Sequence, residues 1–370
     1  MMKSNLYAGR TLHGYLASTY TLHLLSFLAV LLGIIYLFDT VELIRRASKI
    51  SGIPMSVVFQ MGLLKLPEVG QEIAPFAVLF AAVYSFWTLN RRSELVIIRA
   101  AGYSVWQILS PLVFTAVLLG VMMTTLINPI GSVLLNKFES IEDTVFGKPQ
   151  NIVRMFQEGM WLRQPTQNGY TIIHAQQVKV NDWQLGEVMA LLFNSDDQYI
   201  QRIDAPHATL QRGAWVFNDA VIHRPQQAPA FEKLLAIPTD LTQTELADSF
   251  EKPTTMSFWA LPSYIHTVEE TGFDAIGLKM HYHSLLAKPA IFAAMILLAA
   301  TVSLRPPRHN RHTLQMVLLG IFMGLSFFFF TSFLQALGAS HQIAIPLAAW
   351  APASITAMLA IGYLLTQEDG

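Results

Sequence analysis

The sequence contains no cysteine, which removes disulfides, thiolate metal sites and cysteine nucleophiles together. Charge is also scarce. Asp, Glu, Lys and Arg make up 13% of the 370 residues, about half the share found in an ordinary soluble domain. The net charge is -1 and no Lys/Arg-rich run interleaved with aromatics occurs, so nothing points to nucleic acid as a partner. A phosphate cradle ending in Gly-Lys-Ser/Thr is missing as well. The Gly-Lys pair Gly147-Lys148 runs into Pro149, which lacks the backbone amide such a cradle needs. If ATP drives this protein, another polypeptide hydrolyses it.

What the chain has is apolar length. Hydrophobic residues make up 53% of it, and a hydrocarbon core about 30 Å thick is crossed by about 20 mostly apolar helical residues. Windows of that kind lie near Leu22 to Phe38, Ile73 to Leu89, Val105 to Ile127, Leu285 to Leu304, Leu314 to Leu337 and Ile343 to Leu365. The grouping is three plus three. The first window follows Lys3 and Arg10 as a signal peptide would, but Phe38-Asp39-Thr40-Val41-Glu42 offers no small-residue cleavage site, so it reads as a retained anchor. With the N-terminus inside, the short inner loops collect Lys3, Arg10, Arg91, Arg92, Arg99, Arg305, Arg308 and Arg311, against Arg45, Arg46, Lys49 and Lys65 outside. That bias places both termini in the cytoplasm.

Between the triplets, residues 128–262 have a different texture, with alternating polar and apolar positions, regular turn signals and no membrane-length run. Strands are expected at Gly159 to Arg163, Tyr170 to Val180, Leu185 to Asn194, Tyr199 to Leu210 and Ala214 to His223. Short strands at this spacing suggest an antiparallel sandwich or barrel, outside the cytoplasm by the same orientation argument. The expected organisation is a polytopic α-helical membrane protein with six transmembrane helices and an inserted all-β domain. Its parts are residues 1–127, 128–262 and 263–370, and no internal repeat or low-complexity linker interrupts them.

The most informative short stretch is the loop Arg91-Arg92-Ser93-Glu94-Leu95-Val96-Ile97-Ile98-Arg99-Ala100-Ala101-Gly102. Ser93 is a candidate N-cap and Gly102 a left-handed terminator. Between them four large aliphatic side chains surround a very short helix. Covering them fully would contribute roughly 6 to 12 kcal/mol before ordering costs, so something outside this chain is expected to cover them. Composition alone leaves two covers open, a groove in a partner protein or the lipid headgroup region.

A second feature is the face formed by Glu42, Arg45, Arg46 and Lys49 at the outer end of the first span, one or two turns apart. Guanidinium forks and an ammonium suit a phosphorylated headgroup. The alternative is a solvated helix end with Glu42 paired to Arg45 or Arg46. A third is Gly320-Ile321-Phe322-Met323-Gly324 in the fifth span, a small-xxx-small face that admits a close neighbour, in the same chain or another. The adjacent run Phe327 to Phe330 reads as lipid-facing or core packing. His281-x-His283 and His309-x-x-His312 lack acidic or further His partners at ligand spacing, so no metal site is expected. Asp196-Asp197 and Glu269-Glu270 read as solvated carboxylates in turns or connectors. Lys288-Pro289 reads as a lysine snorkelling to the headgroups beside a helix bend, and Asn128-Pro129 as the exit of the third span.

The coupling-loop residues Arg-Ser-Glu-Leu-Val followed by Arg-Ala-Ala-Gly, with the 3+3 layout around a β insertion, resemble the lipopolysaccharide-export permeases, the LptF/LptG family. The resemblance covers essentially the whole chain. Gly33-Ile34-Ile35, then Asp39 and a basic pair, is more similar to the LptG branch. It implies that 91–102 is a coupling helix docking into an ATPase groove, with Glu94 the acidic contact and Arg91, Arg92, Ser93, Leu95, Ile98, Arg99 and Gly102 around it. It implies a periplasmic β-jellyroll, lipid A phosphates near Arg45, Arg46 and Lys49, and a subunit or gate interface at Gly320 and Gly324. Implied partners are a homologous second permease, a dimeric cytoplasmic ATPase, a single-span periplasmic adaptor, lipopolysaccharide and the membrane lipids. ATP and Mg would be used by the ATPase, and no cofactor is expected on this chain.

Three other classes stand beside this reading. A membrane-bound lipid-modifying enzyme would need clustered catalytic groups, which the linear sequence does not display. A lipoprotein extractor shares the energetic logic with fewer spans. A non-transporting scaffold would tolerate charge reversal at Glu94.

Overall fold

Six helices among the described residues are long and apolar enough to cross a membrane, within Thr11–Ala47, Met55–Arg91, Val105–Phe146, Ile276–Ser303, Gln315–Ala339 and Ile345–Thr366. They and the rest of the architecture come from a computed structural model, which describes residues 2–50, 53–146, 152–156, 159–166, 169–179, 184–211, 213–239, 253–270, 275–304 and 312–368. The helices are α1 (Met2–Ala47), α2 (Met55–Arg91), α3 (Glu94–Ala100), α4 (Val105–Met122), α5 (Asn128–Phe146), α6 (Leu261–Glu270), α7 (Ile276–Ser303), α8 (His312–Ala339) and α9 (Ile345–Glu368). The strands are β1 (Ile152–Phe156), β2 (Gly159–Thr166), β3 (Gly169–Lys179), β4 (Gln184–Asn194), β5 (Tyr199–Gln211), β6 (Ala214–His223) and β7 (Ala230–Pro238). The chain divides into two units, one of residues up to Phe138, Ser257–Trp259 and Lys279 onward, the other Glu139–Met256 with Ala260–Leu278.

In the helical unit the core is built from Tyr20, Phe86, Ile108, Leu109, Leu112 and Phe292, all fully buried. Close approach is made by glycine. A Cβ on Gly62 would stand 2.9 Å from the Tyr36 ring and 3.0 Å from Thr40 Oγ1, so the antiparallel pair α1 and α2 touches backbone to side chain there. A Cβ on Gly120 of α4 would stand 2.6 Å from Pro289 Cα of α7.

Proline in these helices frees a carbonyl four residues back, and in an apolar surrounding each freed carbonyl needs another donor. The Leu285 carbonyl, released by Pro289, accepts from Thr124 Oγ1 at 2.9 Å. Behind Pro111, the Gln107 carbonyl accepts from Ser110 Oγ at 3.2 Å. The Thr125 carbonyl, released by Pro129, accepts from the Trp259 indole at 3.1 Å. Asn128-Pro129 is therefore not the expected exit. A π turn over Met123–Ile127 absorbs the irregularity and the helix continues to Phe146. Lys288 also differs from the snorkelling expectation, since its Nζ donates to Gln71 Oε1 of α2 at 2.9 Å.

The second unit carries a seven-stranded antiparallel sheet in the order β1 to β7. All five expected strands are present, each within a few residues of its expected ends. Strands β1 and β7 are additional, and β7 lacks the alternation that marks the others, with Phe231 and Leu234 exposed. Each described strand pairs with its sequence neighbour, so these seven form an antiparallel meander. One face is apolar and buried, with Leu162, Ile173, Ala190, Ile203 and Phe217 among it. Within that face Gln164 Oε1 accepts from Trp215 Nε1 at 3.2 Å and Thr239 Oγ1 at 3.0 Å. Pro206 sits inside the central strand β5 without an amide for its neighbour. On the flanking strands the residues opposite it, Glu187 and Asp219, take left-handed backbone at φ 49 and φ 53, while the pairing register is the same on either side. In α6, Glu269 and Glu270 end a helix; the expectation was a turn or connector.

These contacts set two stability expectations for the full chain in detergent. Gly120→Leu should cost about 1 to 3 kcal/mol by overpacking against Pro289, and Thr124→Val about 1 kcal/mol by orphaning the Leu285 carbonyl. Both should lower Tm, whereas Gly362→Ala, with open space around it, should not. In the β unit, Gln164→Ala leaves the buried Trp215 indole without its acceptor. It should cost roughly 1 to 3 kcal/mol, read as faster hydrogen exchange across β2 and β6.

Candidate functional site

The turn between α2 and α4 holds the loop singled out by sequence. Ser93 does not cap α3. It sits in the left-handed region at φ 59 with no side-chain bond to the first turn, because the chain reverses between α2 and α3 in only Arg92 and Ser93. The cap in this region is Ser104, whose Oγ accepts from the Gln107 amide at 3.3 Å while Gln107 Oε1 accepts from the Ser104 amide at 3.0 Å, starting α4. Gly102 does end the short helix in the left-handed region, at φ 87.

The four aliphatic residues of α3 divide by face. Leu95 and Ile98 are 4% and 9% exposed and join the core cluster with Leu16, Tyr20 and Leu89. Val96 and Ile97 are 58% and 65% exposed. Leu95 and Ile98, expected among the partner contacts, are thus consumed inside the chain, and the uncovered apolar surface is the Val96-Ile97 edge.

Charged residues surround that edge. Arg91 lies over the Trp87 ring at 5.2 Å. The Glu94 carboxylate accepts from the Tyr15 hydroxyl of α1 at 2.8 Å through Oε2, and its Oε1 stands 3.8 Å from Arg92. Arg99 is exposed in the last turn, where a cation suits the helix dipole. Tyr15 was not legible as a site residue, since it is 79 residues from Glu94 and the surrounding sequence carries no motif.

At the other end of α1, Arg45 is clamped to Glu42, with Nε to Oε2 at 2.8 Å and a second nitrogen to Oε1 at 2.7 Å. This is the intrahelical alternative. Both Arg45 fork positions facing Glu42 are filled, and both side chains are well exposed. Arg46 is half-buried and Lys49 exposed. Nearby, Lys65 of α2 pairs with Asp39 of α1 at 3.4 Å.

Gly320 and Gly324 of α8 face α2. A Cβ on Gly320 would meet Val83 at 3.7 Å, and one on Gly324 would meet Leu79 at 3.1 Å and Phe76 at 3.4 Å. The small-residue face is therefore used for packing within the chain, not left for another subunit. The opposite face of α8 is apolar and open, with Leu318, Phe322, Leu325 and Phe329 all exposed. Phe327 is buried while Phe328 and Phe329 are not.

On the outer face of the β sheet a shallow depression is lined by His174, Glu187, Arg202, Asp204 and Asp219 among others, with no hydroxyl, amine or thiol in its lining. Arg202 pairs with Asp204 at 2.8 Å and His223 stands 3.4 Å from the same carboxylate. These groups answer one another's charge. Among the described residues no cluster of three or more His, Asp or Glu is placed to hold a metal ion.

Comparison with known proteins takes in this whole layout. The family described as lipopolysaccharide export system permease LptF/LptG matches residues 14–366. The chain is similar to the lipopolysaccharide export system permease protein LptG of Escherichia coli K12, with 23% identity over 255 residues, 66% of this chain and 68% of that protein. It is similar to the protein of the same name from Haemophilus influenzae, with 23% identity over 300 residues, 78% of this chain and 80% of that protein. A match running from the first span through the β unit to the last span leaves no part of the architecture unaccounted for: this multi-pass inner membrane protein belongs to the LptF/LptG family of lipopolysaccharide export permeases.

Proposed function

We propose that this chain is the LptG-type permease subunit of an ATP-driven machine that extracts lipopolysaccharide from the inner membrane and passes it to a periplasmic bridge. The observation that carries the reading is α3. Half of this short helix is anchored in the chain's own core, and the other half presents Val96 and Ile97 with Glu94 and Arg99 beside them. A chain without a nucleotide cradle needs such a surface to receive work from an ATPase. The partner is a dimeric cytoplasmic ATPase that uses ATP and Mg, and α3 docks in its groove by the Val96-Ile97 edge.

A homologous permease completes the lipid path, and a single-span adaptor receives the lipid. Both termini lie in the cytoplasm and the β unit in the periplasm. The open apolar faces of α1 and α8 form the subunit and gate surface, in place of the Gly320-Gly324 side. Arg46 and Lys49 supply positive charge to the lipid phosphates, with Arg45 able to join by exchanging Glu42 for a phosphate of similar bidentate geometry.

Co-expression with the ATPase and second permease in membrane vesicles tests this. Ile97→Asp should reduce ATPase association about tenfold or more, since losing one buried aliphatic side chain removes roughly 1.5 to 3 kcal/mol, while the chain's Tm stays unchanged. Leu95→Asp should instead lower Tm and membrane levels. Glu94→Arg should abolish both association and ATP-dependent lipopolysaccharide release. Full release with Glu94→Arg and Ile97→Asp would sink the coupling reading.

A further inference from the structure

We infer that Tyr15 is the positioning residue through which the coupling helix drives α1, an inference that rests on α3 being that helix. Apolar packing alone holds α1 loosely. Along its middle, Leu25, Val30, Ile34, Leu37 and Phe38 point away from the rest of the chain. What fixes it are close glycine contacts and three polar ties spaced along its length. Tyr15 bonds Glu94 at 2.8 Å, His23 Nδ1 meets Ser85 Oγ at 2.8 Å, and Asp39 pairs with Lys65 at 3.4 Å. The Ser85 hydroxyl proton is already given to the Ala81 carbonyl at 2.7 Å, so the His23 ring is the donor in the second tie. Partner numbers fall from 94 to 85 to 65 as α1 runs from 15 to 23 to 39. That is the signature of one antiparallel seam running from the coupling turn to the far end of α2.

Two of these ties join α1 to α2. Only the first joins α1 to α3, and it does so through the carboxylate expected to meet the ATPase. Glu94 is oriented on both sides, one oxygen on the Tyr15 hydroxyl and the other toward Arg92. Directly beneath, Leu16 shares a core with Leu95 and Ile98. A displacement of α3 therefore pulls the first turns of α1 by a directional hydrogen bond as well as by packing. Because α1 is one unbroken helix of 46 residues, that pull is carried along its whole length. Tyr suits the role, since its ring reaches with few rotatable bonds and its hydroxyl supplies the donor that a carboxylate needs.

The test uses Tyr15→Phe, which keeps the ring and removes the donor, in the assembly co-expressed with its ATPase and second permease. Membrane vesicles loaded with lipopolysaccharide give lipid released per ATP hydrolysed, alongside ATPase association and Tm. The expected result is a fall of about fivefold or more in lipid released per ATP, the lower range of an intersite coupling, with association and Tm unchanged. An unchanged ratio overturns the inference, and the coupling reading survives it if Glu94→Arg still abolishes association. Loss of association or of Tm in Tyr15→Phe also overturns it, because Tyr15 is then an ordinary packing contact. If Glu94→Arg leaves association and release intact, the coupling reading falls and the role of Tyr15 falls with it.

Discussion

A carbonyl without a donor is expensive inside hydrocarbon, and much of the helical unit is arranged around that constraint. Pro111, Pro129 and Pro289 each remove an amide from a long helix, and each freed carbonyl finds a side-chain donor, respectively Ser110, Trp259 and Thr124. Two of these donors lie on a different element from the proline they serve. The Thr124 bond fixes α7 against the π turn after α4, next to the place where Gly120 lets the Pro289 ring touch the backbone. Pro129 and Pro289 therefore act as fasteners between elements. Lys288, one residue before Pro289, meets the same constraint by donating to Gln71 of α2. The helices α2, α4 and α7 are thus tied by polar bonds as well as by shape, which accounts for their being the more buried spans.

Two of the remaining three spans show the reverse most plainly. α1 and α8 bury little of themselves within the chain and expose aliphatic and aromatic side chains along most of their length. In water this would be a liability. In a bilayer lipid tails are as apolar as leucine, so such helices can release one neighbour and take another at small cost. If the lipid path lies between subunits, as proposed, walls of this kind are what it requires. On that reading the firm part of the chain would supply the frame, and the loosely held helices the moving boundary.

Much of this was legible in the sequence. The spans were readable because a helix of about 20 consecutive apolar residues matches the thickness of a bilayer and little else, and the five central strands because Ile203, Ala205, Ala208 and Leu210 keep a buried face between Gly and Asn turns. Harder to see were features set by what a neighbour does. Ser93 and Ser104 are both serines preceding a helix, and Gln107 three residues after Ser104 marks that one as half of a reciprocal cap. At Ser93 the same position holds Val96, which can return nothing. Gly320 and Gly324 announce a close helix neighbour without naming it, and α2 takes the place. Arg45 and Glu42 sit one turn apart, so their pairing was one of the two readings left open. β7 escaped notice because its outward Phe231 and Leu234 break the alternation.

The short helix α3, proposed above as the coupling element, shows why such an element resists reading from composition. Four consecutive aliphatic residues look uniform, yet a helix places neighbours about 100° apart. Leu95 and Ile98 therefore fall on one side and Val96 and Ile97 on the other. An element that only docked a partner could be polar on its inner side, and one that only packed could be polar outside. A transmitting element has to be apolar on both, so that force applied at Val96 and Ile97 meets resistance at Leu95 and Ile98 and does not merely peel the helix away. Each pair, fully covered, is worth roughly 3 to 6 kcal/mol. Under the proposed coupling, matching the outer contact to the inner one would keep the helix attached to its own chain while it is moved.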